Sequence, residues 1–186
     1  MHNISAVILA AGNGTRIGIP KLKLKHGEEF FINIIANKLK LIGIENIVCI
    51  IRKDDKKWFE QNTHSLSYIE NSNPESGMIH SVLLGINHFE DSYGVIVFPV
   101  DHPLVKTDTI TSLIEVFEAK YDSIVKPGFK GISGHPIIVP NRLFNFIKGS
   151  DNLNLAIQKS ELQVLQLPVD DEGILKNINY IEDLNK

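Results

Sequence analysis

The stretch from Ala6 to Lys21, AVILAAGNGTRIGIPK, constrains the chain more than any other. Ala6, Val7, Ile8 and Leu9 form a short, wholly apolar run that glycines bring to a stop. A run of this kind predicts a central strand of a parallel sheet, buried on both faces. The chain then leaves the sheet through Ala10, Ala11, Gly12, Asn13 and Gly14, whose small side chains leave backbone N–H groups uncovered. Arg16 and Lys21 follow, with Gly18 and Pro20 shaping the turn between them. Bare amides at the carboxyl end of a strand, followed by two cations, suit a chain of phosphates.

Two common phosphate loops do not fit. The dinucleotide-binding turn needs a third glycine where Ile17 stands. The Walker loop needs lysine followed by Ser or Thr after a glycine, whereas Lys21 lies between Pro20 and Leu22.

The rest of the chain continues in strand–helix alternation. Lys21 to Lys25 alternates lysine and leucine, and Lys23 and Lys25 are expected as solvated charges. A helix should follow, with Glu28 and Glu29 at its positive end, Phe31, Ile34, Ile35, Leu39 and Ile42 on one face, and Gly43 as its stop. Ile47 to Ile51 predicts a second buried strand, then a polar helix with Trp58 and a weaker strand near Ser65 to Glu70. A helix carrying Ile79, Val82, Leu83 and Ile86 precedes a strand at Val95 to Phe98, and another helix carries Ile110, Leu113, Ile114 and Phe117. Such alternation implies right-handed crossovers and a mainly parallel sheet. Ligands of such sheets sit beyond the carboxyl ends of the strands. That places Asn71, Ser76 and Gly77 beside the first loop, together with Asp101, which follows the Val95 strand. A carboxylate opposite a phosphate loop is what a Mg²⁺–triphosphate complex needs, since magnesium takes few protein ligands.

The 186 residues allow one domain with a sizeable core, and 43% apolar with 22% charged residues is an ordinary soluble composition. A net charge of −3 gives no support to nucleic-acid or acidic-membrane binding. Cys49 is the sole cysteine, which excludes an intrachain disulfide, and its apolar surroundings predict a buried structural thiol. No secretory pattern or spanning apolar run is seen, so a cytoplasmic protein is expected.

The run L-A-A-G-x-G-x-R-x-G-x-P-K resembles the opening of the MobA-like NTP transferases, the molybdopterin and sugar-phosphate nucleotidyltransferases. Asn71 to Ser81 resembles the N-x5-G-M-x-x-S segment of the molybdopterin cytidylyltransferase-like members, which in that family lies against nucleobase and ribose. Asp101 to Pro103 resembles D-x-P, where the aspartate holds the metal, and Gly134 to Pro136 resembles the G-H-P segment on the acceptor side. The resemblance implies a three-layer α/β/α, Rossmann-like nucleotide-diphospho-sugar transferase fold, as a single domain over residues 1–186. It implies transfer of an NMP group from an NTP, CTP favoured, to a phosphorylated small-molecule acceptor, with release of pyrophosphate and Mg²⁺ as cofactor. Leu9, Ala10, Ala11, Gly12, Gly14, Asn71, Gly77 and Ser81 would bind the nucleotide. Arg16, Lys21 and Asp101 would be catalytic, His135 would face the acceptor, and Asp101 with Asn179 would hold the metal.

The chain also departs from those relatives. SDNLNLA at Ser150 to Ala156 stands where the cytidylyltransferases often carry G-D-x-G-A-R. Asn177 and Asn179 replace the acidic positions of D-I-D-T-P-E-D-L. An asparagine carbonyl still ligates Mg²⁺. A sugar- or alditol-phosphate nucleotidyltransferase is therefore one alternative, and a nucleotide-binding regulator without turnover is another.

Overall fold

The computed structural model describes residues 3–12, 19–63 and 66–178. Its centre is β1 (Ile4–Leu9), buried along its full length. Alternation along this strand divides the core in two. Ala6 and Ile8 point to one face and Val7 and Leu9 to the other, as the two-residue period of a strand requires.

In chain order, a small hairpin of β2 (Lys25–His26) and β3 (Glu29–Phe30) precedes α1 (Phe31–Leu41). The helix starts at Phe31, so Glu28 lies in the hairpin turn and Glu29 in β3, where it accepts a 2.6 Å hydrogen bond from Asn37. Gly43, with φ of 84°, ends this helix as anticipated. β4 (Ile47–Arg52), α2 (Lys56–Asn62), β5 (Ser67–Asn71), α3 (Met78–His88), β6 (Gly94–Pro99) and α4 (Thr107–Ala119) complete the first part. β7 (Ile124–Phe129), β8 (Ile132–Ser133), β9 (Ile137–Pro140), α5 (Phe144–Lys148), α6 (Leu153–Ser160) and β10 (Val164–Pro168) follow.

The main sheet runs β10-β7-β9-β6-β1-β4-β5, with β8 paired to β7. β6, β1, β4 and β5 are mutually parallel, and β10 is parallel to β7. β9 alone on this path runs against both its neighbours. One face is packed by α1 and α4 through Phe31, Ile35, Leu39, Ile110, Leu113 and Phe117. The other is packed by α3, α5 and α6 through Val82, Ile86, Phe144, Ile147 and Ala156. This is the three-layer α/β/α arrangement, with a sheet that is mixed but mostly parallel.

Close approach fixes the layers. A Cβ on Gly85 of α3 would stand 2.5 Å from both methyls of Val7, so only glycine lets α3 lie this low on β1. Cys49 is fully buried in β4, and burial pushes its thiol well above the ordinary range, so it is inert. Among the described residues, no helix is long and apolar enough to cross a membrane.

Candidate active site

β1 and β6 end side by side, and each continues one residue beyond its last ladder pair. Ala10 N–H donates to Ile50 at 2.9 Å and Val100 N–H donates to Leu9 at 3.1 Å. This carries Leu9, Ala10, Ala11 and Gly12 to the same edge as Asp101. Among the described residues, nothing lies within 4 Å of where a Cβ on Gly12 would point. Gly14, Arg16 and Asn179 lie outside the described residues.

Lys21 begins a single 3-10 turn, Lys21–Lys23, whose middle residue Leu22 is fully buried. With Leu22 sunk in the core, Lys21 is held at the edge. Its ammonium donates to Asp101 Oδ2 at 2.5 Å and to Asn177 Oδ1 at 3.1 Å. The Asp101 carbonyl in turn accepts from Ile178 N–H at 2.9 Å, which ties the segment after residue 175 to the end of β6. Two oxygens therefore converge on one cation, and an all-oxygen set suits a hard metal. Among the described residues, no three of His, Cys, Asp and Glu gather to hold a metal.

The segment bearing Asp101 is held from below by residues that carry no recognisable sequence signal. Lys38 of α1 donates to the carbonyls of Pro103 and Val105, both at 2.7 Å. Burial lowers its pKa, with Asp171 and Glu29 opposing. Asp171 accepts from Lys106 N–H at 2.8 Å, Thr109 Oγ1 at 2.7 Å and Gly173 N–H at 2.9 Å. The buried Asp171 carboxylate thus fastens the start of α4 to the turn at residues 172–174.

Under Asp101 lie two imidazoles. His102 is 4% exposed, and its Nε2 is 3.8 Å from Asp101 Oδ1. Its ring lies 5.0 Å from that of His135, centre to centre. Burial pushes His102 down to about 4, against the pull of Asp101, and burial likewise lowers His135. Both are therefore neutral at pH 7. The His135 backbone N–H donates to Ile174 at 3.0 Å, and its Nδ1 is buried without a partner, as is that of His102.

Asn71 closes β5 with its side chain turned inward, 1% exposed. Its Oδ1 accepts from Asn73 N–H at 2.8 Å and its Nδ2 donates to Ser81 Oγ at 2.9 Å. His80 Nδ1 is 2.8 Å from the same Oδ1, so it must be the protonated nitrogen and donate. Asn71 and Ser81 thus brace the loop between β5 and α3 from within. Gly77, at φ 80° and ψ −179°, occupies a region open essentially to glycine alone and sets the start of α3.

One expectation is corrected. Lys23 is not simply solvated: its Nζ lies 2.6 Å from Oδ1 of the buried Asp55 and 5.8 Å from the Trp58 ring centre. The other Asp55 oxygen is buried without a partner. Lys25 is exposed as anticipated, with its Nζ 4.5 Å from the Phe30 ring centre.

Several known proteins are similar to this chain in sequence or in fold. The bifunctional protein GlmU of Clostridium kluyveri is 28% identical over 201 residues, covering 100% of this chain and 42% of that protein. The chain thus spans less than half the length of that relative. A probable molybdenum cofactor guanylyltransferase of Bacillus mycoides is 28% identical over 130 residues, 67% of this chain and 62% of that one. Rv0371c of Mycobacterium tuberculosis H37Rv, also solved in complex with manganese, shares the fold with a TM-score of 0.82 at 18% identity, covering 100% of this chain and 98% of that one. The MobA-like NTP transferase domain matches residues 6–165. With that match over most of its length, the chain belongs to the MobA-like NTP transferase domain family.

Proposed function

We propose that residues 1–186 form one Mg²⁺-dependent nucleotidyltransferase domain, which moves an NMP group from an NTP to a phosphorylated small-molecule acceptor and releases pyrophosphate. The observation that carries this reading is the meeting of Lys21 and Asp101 at 2.5 Å where β1 and β6 end, beside the small-residue loop. A lysine, a carboxylate and uncovered amides at one sheet edge are the elements that in-line phosphoryl chemistry requires.

The backbone amides of Ala11 and Gly12, with Gly14 beyond them, would cradle the triphosphate, and Leu9 and Ala10, whose N–H is held by Ile50, would set where that cradle begins. Arg16 would hold the β- and γ-phosphates that leave. Lys21 would neutralise charge growing on the α-phosphate oxygens. An acceptor phosphate oxygen attacks the α-phosphorus, the bond to the bridging oxygen breaks, and its electron pair leaves with pyrophosphate. Bound Mg²⁺ would supply further charge neutralisation, held by Asp101 together with Asn177 or Asn179. No side chain acts as a covalent nucleophile. Gly77 and the Asn71–Ser81 brace would position the nucleoside loop, whose resemblance to cytidylyltransferases favours CTP. His135, whose ring lies 5.0 Å from that of His102, would stand on the acceptor side.

The region of the SDNLNLA run bears on the acceptor. Asn152 there caps α6 by accepting from Leu155 N–H at 2.9 Å, an ordinary structural task. With the glycines and arginine of the cytidylyltransferase run absent, a sugar- or alditol-phosphate stands as the alternative to a pterin acceptor. Pyrophosphate release, measured with each of the four NTPs against a panel of phosphorylated acceptors, tests the reading. Release should require one NTP, one acceptor class and Mg²⁺ together. Tight NTP binding with no release for any pair would overturn it in favour of a nucleotide-binding regulator.

A further inference from the structure

We propose that Lys21 keeps divalent metal out of the nucleotide-free protein, so that metal and nucleotide enter together. This rests on the reading of Asp101 as the metal ligand. The ammonium sits on Asp101 Oδ2 at 2.5 Å and on Asn177 Oδ1 at 3.1 Å, the oxygens a hard cation would need. The pair is partly shielded, with side-chain exposures of 21% and 13%, so solvent does not cancel its attraction. A divalent ion approaching this carboxylate meets a positive charge already in place. Mg²⁺ also sheds water reluctantly, and one carboxylate with an amide does little to draw it in.

A triphosphate changes the balance because it offers Lys21 other oxygens. Turning Nζ from Asp101 to phosphate frees the carboxylate at the moment when phosphate oxygens arrive to complete a metal's shell. Lys21 would then serve two partners in succession, Asp101 in the free protein and phosphate in the complex. The coupling is reciprocal by thermodynamic necessity: nucleotide raises metal affinity by the factor by which metal raises nucleotide affinity. Leu22, buried beside Lys21, leaves this exchange to the lysine side chain without movement of the backbone turn.

The test is a Mn²⁺ titration of the full chain followed by paramagnetic resonance, with and without CTP. Parent protein is compared with Lys21→Met, Lys21→Arg, Asp101→Asn and Lys21→Met/Asp101→Asn. Without nucleotide, Lys21→Met should bind Mn²⁺ roughly tenfold more tightly than the parent, the factor that corresponds to the lower end of a charged hydrogen bond's contribution. Lys21→Arg, which keeps the charge, should match the parent, and Asp101→Asn should erase the gain. CTP should raise Mn²⁺ affinity strongly in the parent and much less in Lys21→Met. If Lys21→Met does not fold, Lys21→Gln takes its place with the same expectation. Equal or weaker Mn²⁺ binding by the uncharged variant overturns the proposal, even where CTP-dependent metal binding by the parent upholds the functional reading. If Asp101→Asn alone leaves CTP-dependent Mn²⁺ binding unchanged, the metal site itself is misassigned and both readings fall.

Discussion

Lys23 reaches Asp55 at 2.6 Å, and Asp55 is 2% exposed with its second oxygen lacking a partner. Removing the lysine leaves a carboxylate charge buried with nothing to balance it, a larger loss than the pair's own net contribution. Lys23→Ala should therefore cost about 2 kcal/mol of stability in urea unfolding while leaving nucleotide affinity nearly unchanged. Lys21→Ala should do the reverse, weakening CTP binding at least roughly tenfold with little change in the unfolding midpoint. Matching profiles for the two variants would refute the division. His102 carries a second expectation at this scale. Its folded pKa of about 4 lies below the ordinary 6.5, so the unfolded chain takes up a proton that the fold refuses. The associated stability is fully present above about pH 6.5 and is lost as pH falls towards 4, on the order of 3 kcal/mol in all. His102→Gln should give a shallower decline between those limits, with His135 supplying what remains. An unchanged slope would show that the acid loss arises elsewhere.

At the scale of elements, the loop from β5 into α3 depends on one backbone conformation. Gly77 holds φ 80° and ψ −179°, while a Cβ there would meet nothing within 4 Å. The cost of a side chain is therefore conformational rather than steric, about 1–3 kcal/mol for a residue forced into that region. Gly77→Ala should lower the melting temperature and weaken nucleotide binding together, because relief of the strain shifts the first turn of α3. A variant with parental stability and affinity would show that the loop tolerates another path. The elements most legible in the sequence were those whose signal is local. β1, β4 and β6 are unbroken apolar runs, and α1, α3 and α4 show clear helical spacing. β7 and β10 escaped notice. Lys126 and Pro127 interrupt the first, and the second is a half-exposed edge strand without a continuous apolar run. The site divides in the same way. Lys21 and Asp101 stand in contiguous patterns, whereas Lys23–Asp55, Lys38 and Asp171 are joined to their partners only by the folded chain. No spacing rule reaches across such separations.

Across the whole molecule, a helical layer covers each face of β1, and Gly85 against Val7 is a point of close approach between α3 and the sheet. Gly85→Ala should be strongly destabilising, by several kcal/mol if the layers cannot part, an overpacking cost at about the upper end of its usual range. Trimming the opposing side chain with Val7→Ala removes both methyls that clash, so the double variant should lose less than the sum of the singles. A double-mutant cycle in guanidinium measures this, and strict additivity would mean that α3 accommodates the added carbon without pressing on β1.

The reversal of β9 has a consequence for how such a molecule can change its chemistry. Val97 of β6 pairs with Ile137, so β9 opens, rather than closes, at the ligand edge. The segment there, Gly134 to Pro136, is fed by the β7–β8 hairpin and not by the crossover helices that link the parallel strands β1, β4, β5 and β6. Cutting and replacing residues 130–134 would thus exchange one side of the sheet edge as a cassette, leaving undisturbed the strand ends that lead to Ala10 and Asp101 and the turn that carries Lys21. A fold wired this way can be altered on one flank by loop exchange while the strand ends on the other flank stay as they are.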